Sequence, residues 1–205
     1  MTARPQVHTT RQSSIERKTN ETDIRVAIDL DGGGFVTSKT GVPFLDHMLD
    51  CLGRHSRIDL DVTCDGDVAI DVHHSVEDVG IVIGQALRQG LGQRKGIARF
   101  ASAYAPLDEA LARVVVDVSG RPFLAFHADM PEPVIGSDFA ASLVEEFWRA
   151  VAVHGGLTLH IDLLRARNAH HAAEAIFKAA ALALRDATRI TGDVASTPST
   201  KGMLA

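Results

Sequence analysis

HHSVEDVGIVIGQALR occupies residues 73–88, and HHAAEAIFKAAALALR occupies residues 170–185, 97 positions further on. Each run opens on two histidines and a glutamate, continues with apolar side chains at helical spacing, and closes on arginine. A single HHxxE run is most often a solvated helix start, its glutamate suited to the positive end of the helix dipole. Two copies at matched positions, among neighbours that have otherwise diverged, point to a retained chemical role.

The repeat extends beyond these runs. ETDIRVAIDLDG at 21–32 matches EALARVVVDVSG at 109–120, pairing Glu21 with Glu109, Asp29 with Asp117 and Gly32 with Gly120. HMLDCLGRHSRIDLDV at 47–62 matches EFWRAVAVHGGLTLHI at 146–161, pairing His47 with Glu146 and His55 with His154. Three segments in one order, at offsets of 88, 99 and 97, amount to an internal duplication. The 21–32 segment alternates apolar and polar residues and ends in Asp-Gly, a strand closed by a turn. Phe44, Leu45, Met48, Leu49 and Leu52 lie at helical spacing, and RIDLDVTCDGDVAIDV reads as two strands joined at Asp65-Gly66. The scheme of strand, helix, strand pair and helix, given twice, predicts an α+β fold of two similar halves, each a sheet with helices on one face. The expected boundaries are a flexible arm at 1–14, half-repeats at 15–105 and 106–192, and a tail at 193–205.

Composition limits the possible functions. The chain has 205 residues, 45% apolar and 23% charged, ordinary values for a globular protein. A net charge of −5 leaves no electrostatic footprint for nucleic acid or an anionic membrane. Cys51 and Cys64 form neither a disulfide framework nor a CxxC zinc site, which favours a reducing cytoplasm. No apolar run reaches membrane-spanning length, and the first residues lack a signal peptide's apolar stretch.

On a helix, residues three and four apart share a face, whereas adjacent residues diverge by about 100°. His74 and Glu77 are therefore expected on one ion, with His73 turned to a second. Imidazole and carboxylate donors without thiolate suit manganese, iron, zinc or nickel. His8, His127 and His160 are read as non-ligands, and His55 and His154 as structural residues near helix ends. The C-terminal PSTKGML at 198–204 is rich in hydroxyl, amide and ammonium donors suited to phosphate. Arg99 in GIARF and Arg121 in SGRPF are further cations at turns.

These features together resemble the imidazoleglycerol-phosphate dehydratase family of histidine biosynthesis. The resemblance rests on FLDHML at 44–49, DVHHSVEDVGIVIGQAL at 71–87, GIARF at 96–100, PLDEAL at 106–111, DVSGRPF at 117–123, LTLHI at 157–161, NAHHAAEAIFKA at 168–179 and PSTKGML at 198–204. It implies a hydro-lyase that dehydrates imidazole glycerol phosphate to imidazole acetol phosphate. It also implies two Mn²⁺ per subunit holding the substrate imidazolate, no organic cofactor, and a homo-oligomer of 24 subunits with sites between neighbours. The implied ligands are His47, His73, His74, Glu77, His170, His171 and Glu174. The implied phosphate contacts are Arg99, Arg121, Lys178, Ser199, Thr200 and Lys201. Glu21 would contact substrate and carry a proton, with His47, His73 and Glu174 also at the reacting centre. Glu146 stands where many members carry histidine, and the duplication makes it the counterpart of His47. The repeat thus predicts one ion on His47, His74, Glu77 and His170, and a second on Glu146, His171, Glu174 and His73. A phosphate-ester metallohydrolase and a metal-storage oligomer are the competing readings; neither gives the remote cationic tail a role.

Overall fold

A computed structural model describes residues 10–192 and 196–204, so His8 and most of the expected arm lie outside the described residues. The first half runs β1 (Gln12–Lys18), β2 (Thr22–Asp29), β3 (Val36–Lys39), α1 (Pro43–Ser56), β4 (Asp59–Gly66) and α2 (His73–Leu91). The second runs β5 (Phe100–Leu107), β6 (Ala110–Asp117), β7 (Phe123–His127), a small hairpin of β8 (Val134–Ile135) and β9 (Phe139–Ala140), α3 (Leu143–Gly155), β10 (Thr158–Arg165) and α4 (Ala169–Thr188).

The duplication is written into the topology. One sheet has the order β1-β2-β4-β3 and the other β5-β6-β10-β7. In both, the last strand runs parallel to its neighbour and the remaining pairs are antiparallel. The β8–β9 hairpin falls where the offset between halves grows from 88 to 99, so it is the insertion the sequence required. Alternation in β2 sends Ile24, Val26 and Ile28 inward, and in β6 sends Ala112, Val114 and Val116 inward. The helices cover those inner faces and meet each other: α2 lies on α3, and α1 lies on α4. Two helical layers are thus enclosed between two sheets around one core that includes Trp148, Phe147 and Phe177.

Three expectations need correction. Gln12–Ser14 were assigned to the arm, but they open β1, where Ser13 is buried and donates from Oγ to the Ala86 carbonyl at 2.8 Å. A polar strand at a sheet edge carries no apolar alternation to announce it. The boundary at 105/106 is also displaced, because β5 is the counterpart of β1 and begins the second sheet at Phe100. Finally, RIDLDVTCDGDVAIDV holds one strand. After Gly66 the chain turns, leaving Val68 and Ile70 exposed, and goes straight into α2. Among the described residues no helix is long and apolar enough to cross a membrane.

The closest approach of the halves runs through glycine. A Cβ on Gly84 would lie 2.9 Å from the Val151 carbonyl oxygen and 2.9 Å from the Gly155 nitrogen; one on Gly80 would lie 2.8 Å from the Phe147 carbonyl oxygen. These obstacles are backbone, which cannot swing aside. Gly84→Leu is therefore expected to force α2 and α3 apart at a cost of about 1–3 kcal/mol or more, seen as a drop of roughly 2–4 °C per kcal/mol in the thermal midpoint. Substitution at Gly192, which has nothing within 4 Å and no positive φ, provides a comparison outside this contact.

Candidate metal centre and anion site

Both HHxxE runs start helices. Asn168 caps α4 by accepting from the His171 amide at 3.0 Å, and the Asp71 carboxylate accepts from the His73 amide at 3.0 Å ahead of α2. The histidine pairs consequently project from helix N-termini, beside the loops that follow β4 and β10.

The densest group is His47 of α1 with His170 and Glu174 of α4. Glu174 Oε2 lies 3.1 Å from His47 Nε2 and 3.2 Å from His170 Nε2, and Lys178 Nζ holds Oε1 at 2.6 Å. The three candidate donor atoms all fall within 4.8 Å of one another. Separations near 3.1 Å are those of adjacent ligands around one ion bound at about 2.0–2.3 Å, so these residues fit a divalent cation of borderline or hard character. Burial would raise the Glu174 carboxyl. The hydrogen bonds from Lys178, His47 and His170 outweigh it and hold the group at about 2, fully ionised. Phe44 and Phe139 wall the group on one side with ring centroids 4.8 Å apart, next to a cavity of about 450 Å³ that His47 lines. Burial pushes the nearby Cys51 thiol up to about 11, so it offers no thiolate.

In the first half, His73 Nε2 lies 3.4 Å from Glu77 Oε2. Within the chain it is His73, and not the expected His74, that stands against Glu77. In both helices the first histidine meets the glutamate four residues on, and the second turns elsewhere. His74 Nδ1 faces both Asp67 carboxylate oxygens at 3.1 and 3.2 Å, with its Nε2 4.0 Å from Glu21. His171 Nδ1 faces Glu109 Oε2 at 2.8 Å. The halves also mix: His47 joins the second-half motif because α1 packs on α4. Its counterpart Glu146 sits on α3 and pairs with Arg149 at 3.4 Å. Neither four-residue set expected from the repeat is gathered within one chain.

The cationic residues collect elsewhere. Arg99, at positive φ of 74°, donates to both oxygens of Asp117 at 2.8 and 3.2 Å and to the Pro198 carbonyl at 2.9 Å. Arg121 lies 3.8 Å from the same aspartate and is mostly exposed. The Gly96 amide donates to the Ser196 carbonyl, and Ser199 Oγ accepts from the Lys201 amide at 3.2 Å. Arg99, Arg121, Ser199, Thr200 and Lys201 thus share one region. Lys178 does not join them, because its ammonium is committed to Glu174. His55 and His154 occupy the last turns of α1 and α3, as expected of structural residues. Sequence reasoning passed over Asp67, which looked like part of a turn, and Asp117, noted only as a repeat marker.

The Arg99 amide bonds the Ala187 carbonyl at the far end of α4 from His170. At 1.5 Å per residue, the anion region and the His47–His170–Glu174 group stand roughly 25 Å apart along that helix.

Residues 40–184 match the family model described as imidazoleglycerol-phosphate dehydratase. A protein of that description from Ralstonia nicotianae is 55% identical over 195 residues, covering 95% of this chain and 99% of its own length. One from Rhodopseudomonas palustris is 53% identical, covering 95% and 98%. Among solved structures, the Staphylococcus aureus imidazoleglycerol-phosphate dehydratase superposes with a TM-score of 0.80 at 43% identity, covering 88% of this chain and 99% of that one. The Pyrococcus furiosus enzyme also gives 0.80, at 38% identity, covering 93% and 100%, and is in complex with (S)-C348.

Because Arg99 joins the tail to the body, Arg99→Ala should release residues 196–204. Trypsin is expected to cut after Lys201 several times faster in that variant, followed by mass spectrometry, whereas His47→Ala should leave the cutting rate unchanged.

Proposed function

The chain belongs to the imidazoleglycerol-phosphate dehydratase family and is a hydro-lyase of histidine biosynthesis; from that premise we propose that it works with two divalent ions, Mn²⁺ by preference, at sites shared between subunits of a homo-oligomer. The observation that carries the proposal is the His47–His170–Glu174 group, whose donor spacing fits one ion. His73 and Glu77 form the equivalent start of a second set. His74 and His171 complete the sets from neighbouring copies, each with Nδ1 tied to a carboxylate and Nε2 left on the opposite edge of the ring. Glu146 is at most an optional ligand, since Arg149 holds it in the isolated chain.

Assembly is supported by two observations. The roughly 25 Å along α4 between the His47–His170–Glu174 group and the anion region exceeds a substrate of one ring, three side-chain carbons and a phosphate, which supports a site whose two ends come from neighbouring chains. The outer face of the second sheet also exposes Phe100, Tyr104, Val115 and Phe123, whereas the equivalent face of the first is charged, with Glu16, Lys18, Asp23, Arg25, Asp29, Asp59, Asp61 and Asp65. Exposed aromatics on one of two like-folded sheets suit burial against another copy. A 24-subunit particle is the arrangement we favour, in the cytoplasm, where Cys51 and Cys64 remain free thiols.

The reaction takes a carbon-bound proton and a hydroxyl from the substrate side chain. When bound, the ions supply Lewis acidity at the two ring nitrogens. Arg99, Arg121, Ser199, Thr200 and Lys201 hold the phosphate, which fixes the reacting carbons relative to the ring. Glu21, half-exposed and 4.0 Å from His74 Nε2, is the proton carrier. Lys178 keeps Glu174 ionised, and the Phe44–Phe139 wall limits water on one side.

The deciding experiment incubates Mn²⁺-loaded protein with imidazole glycerol phosphate and with p-nitrophenyl phosphate. Ketone from the first without free phosphate from either is expected; phosphate release from p-nitrophenyl phosphate would mark a metallohydrolase. Arg121→Ala and Lys201→Ala should raise KM at least tenfold while Mn²⁺ content stays at two per chain, and a loss of metal instead would count against the anion assignment. Chelated protein should sediment as a smaller species and regain its size with Mn²⁺; an unchanged particle would remove the shared-site reading.

A further inference from the structure

The two halves hold their second histidine with different residues. In the second half the holder is Glu109, the repeat counterpart of Glu21. Its Oε2 sits 2.8 Å from His171 Nδ1, while Oε1 accepts from the Arg167 and Asn168 amides, each at 3.1 Å. Both oxygens are committed. In the first half the holder is Asp67, with oxygens 3.1 and 3.2 Å from His74 Nδ1. The Asp67 amide bonds the Glu21 carbonyl at 3.1 Å, so the two residues are anchored together. The Glu21 carboxylate itself stands 4.0 Å from His74 Nε2, beyond hydrogen-bond reach and half exposed. At the offset of 99 that relates β4 to β10, the counterpart of Asp67 is Ala166, which has no carboxylate to offer.

We infer that Asp67 and Glu109 are positioning residues, each fixing the Nδ1–H tautomer of its histidine so that Nε2 is the ligand atom, and that Asp67 thereby releases Glu21 for work on the substrate. Duplication supplied a glutamate ahead of both β2 and β6. Where the preceding loop lacks an aspartate, that glutamate is consumed by its histidine. Where Asp67 takes the histidine, the glutamate keeps a carboxylate for proton transfer. A ring held by a carboxylate at Nδ1 cannot rotate, and its outer nitrogen is the more basic ligand.

This inference rests on His74 and His171 being metal ligands, and the test separates the two claims. Equilibrium dialysis and electron paramagnetic resonance would measure Mn²⁺ stoichiometry and Kd for wild type, His74→Ala, His171→Ala, Asp67→Ala, Asp67→Asn, Glu109→Ala, Glu109→Gln and Glu21→Gln. Asp67→Ala and Glu109→Ala are each expected to weaken one class of bound Mn²⁺ by about 10- to 100-fold. Asn and Gln, whose amide oxygens still accept from Nδ1–H, should recover most of that affinity. Glu21→Gln should keep wild-type Mn²⁺ binding and lose kcat. Unchanged Mn²⁺ affinity in both alanine variants, with His74→Ala and His171→Ala losing metal, would overturn the positioning roles alone. Retention of all Mn²⁺ in the histidine variants would overturn the underlying ligand reading instead. Thermal melting of Glu109→Ala guards against trivial unfolding, and Asp67→Ala tests the same idea on a residue that braces fewer amides.

Discussion

Enclosure of α4 is the constraint from which the site follows. The helix lies between the second sheet and α1, so it is buried on nearly every side. Such a helix reads apolar all round, and the close packing on both flanks leaves room mainly for small side chains: Ala172, Ala173, Ala175, Ala179, Ala180, Ala181 and Ala183 are all inaccessible. Polar groups collect towards its N-terminal end, and there Glu174 sits with its side chain only 13% exposed. A carboxylate so enclosed is tolerated only with partners. Lys178 meets one oxygen from behind, and His47 and His170 meet the other in front. The same helix that seals the core therefore delivers an ionised carboxylate with two imidazoles in register.

What was legible in the sequence was whatever repeats at fixed spacing. The offsets between halves identified the duplicated topology, because β2 and β6, β4 and β10, and α2 and α4 all keep their internal registers. Strands without a repeat partner recognised in the sequence were not legible: β1 is mostly polar, and β5 was not separated from the first half. The side-chain contacts at the start of α2 were not legible, for a definite reason. Spacings of three and four both place residues on one helical face; the sequence reading put His74 with Glu77, whereas in the folded chain His73 meets Glu77 and Asp67 claims His74. That competition lies in a loop, and no periodicity reports it. Likewise, the alignment made Glu146 the equivalent of His47, yet equivalence in a repeat does not specify contacts across the helical layer.

The cross-half pairing is itself a consequence of packing. With α1 against α4 and α2 against α3, the first helix of each half meets the last helix of the other. His47 then meets the second-half motif, whereas its repeat counterpart Glu146 pairs with Arg149 on its own helix. Gly80 and Gly84 permit this exchange by letting backbones touch where side chains would hold the layers apart. The His47–His170–Glu174 group is thus a joint product of both halves, which ties it to the integrity of the whole core.

The histidine–glutamate contact recurs in both halves, whereas the contact of Arg99 with the C-terminal segment is found in one. Arg11 is the counterpart of Arg99, yet its guanidinium is spent on Asp31, with Nε 3.0 Å from the carboxylate, and on the Thr188 carbonyl at 2.7 Å. It ties the start of β1 to the end of α4. A substrate of this reaction has two ring nitrogens and one phosphate. On the two-ion reading, two ligand groups and one anion region per chain match that count one to one, so each subunit added to the assembly contributes the parts of one active site. Arg11 serves as a structural tie between β1 and α4, and on the proposed reading a substrate with one phosphate asks for no second anion region.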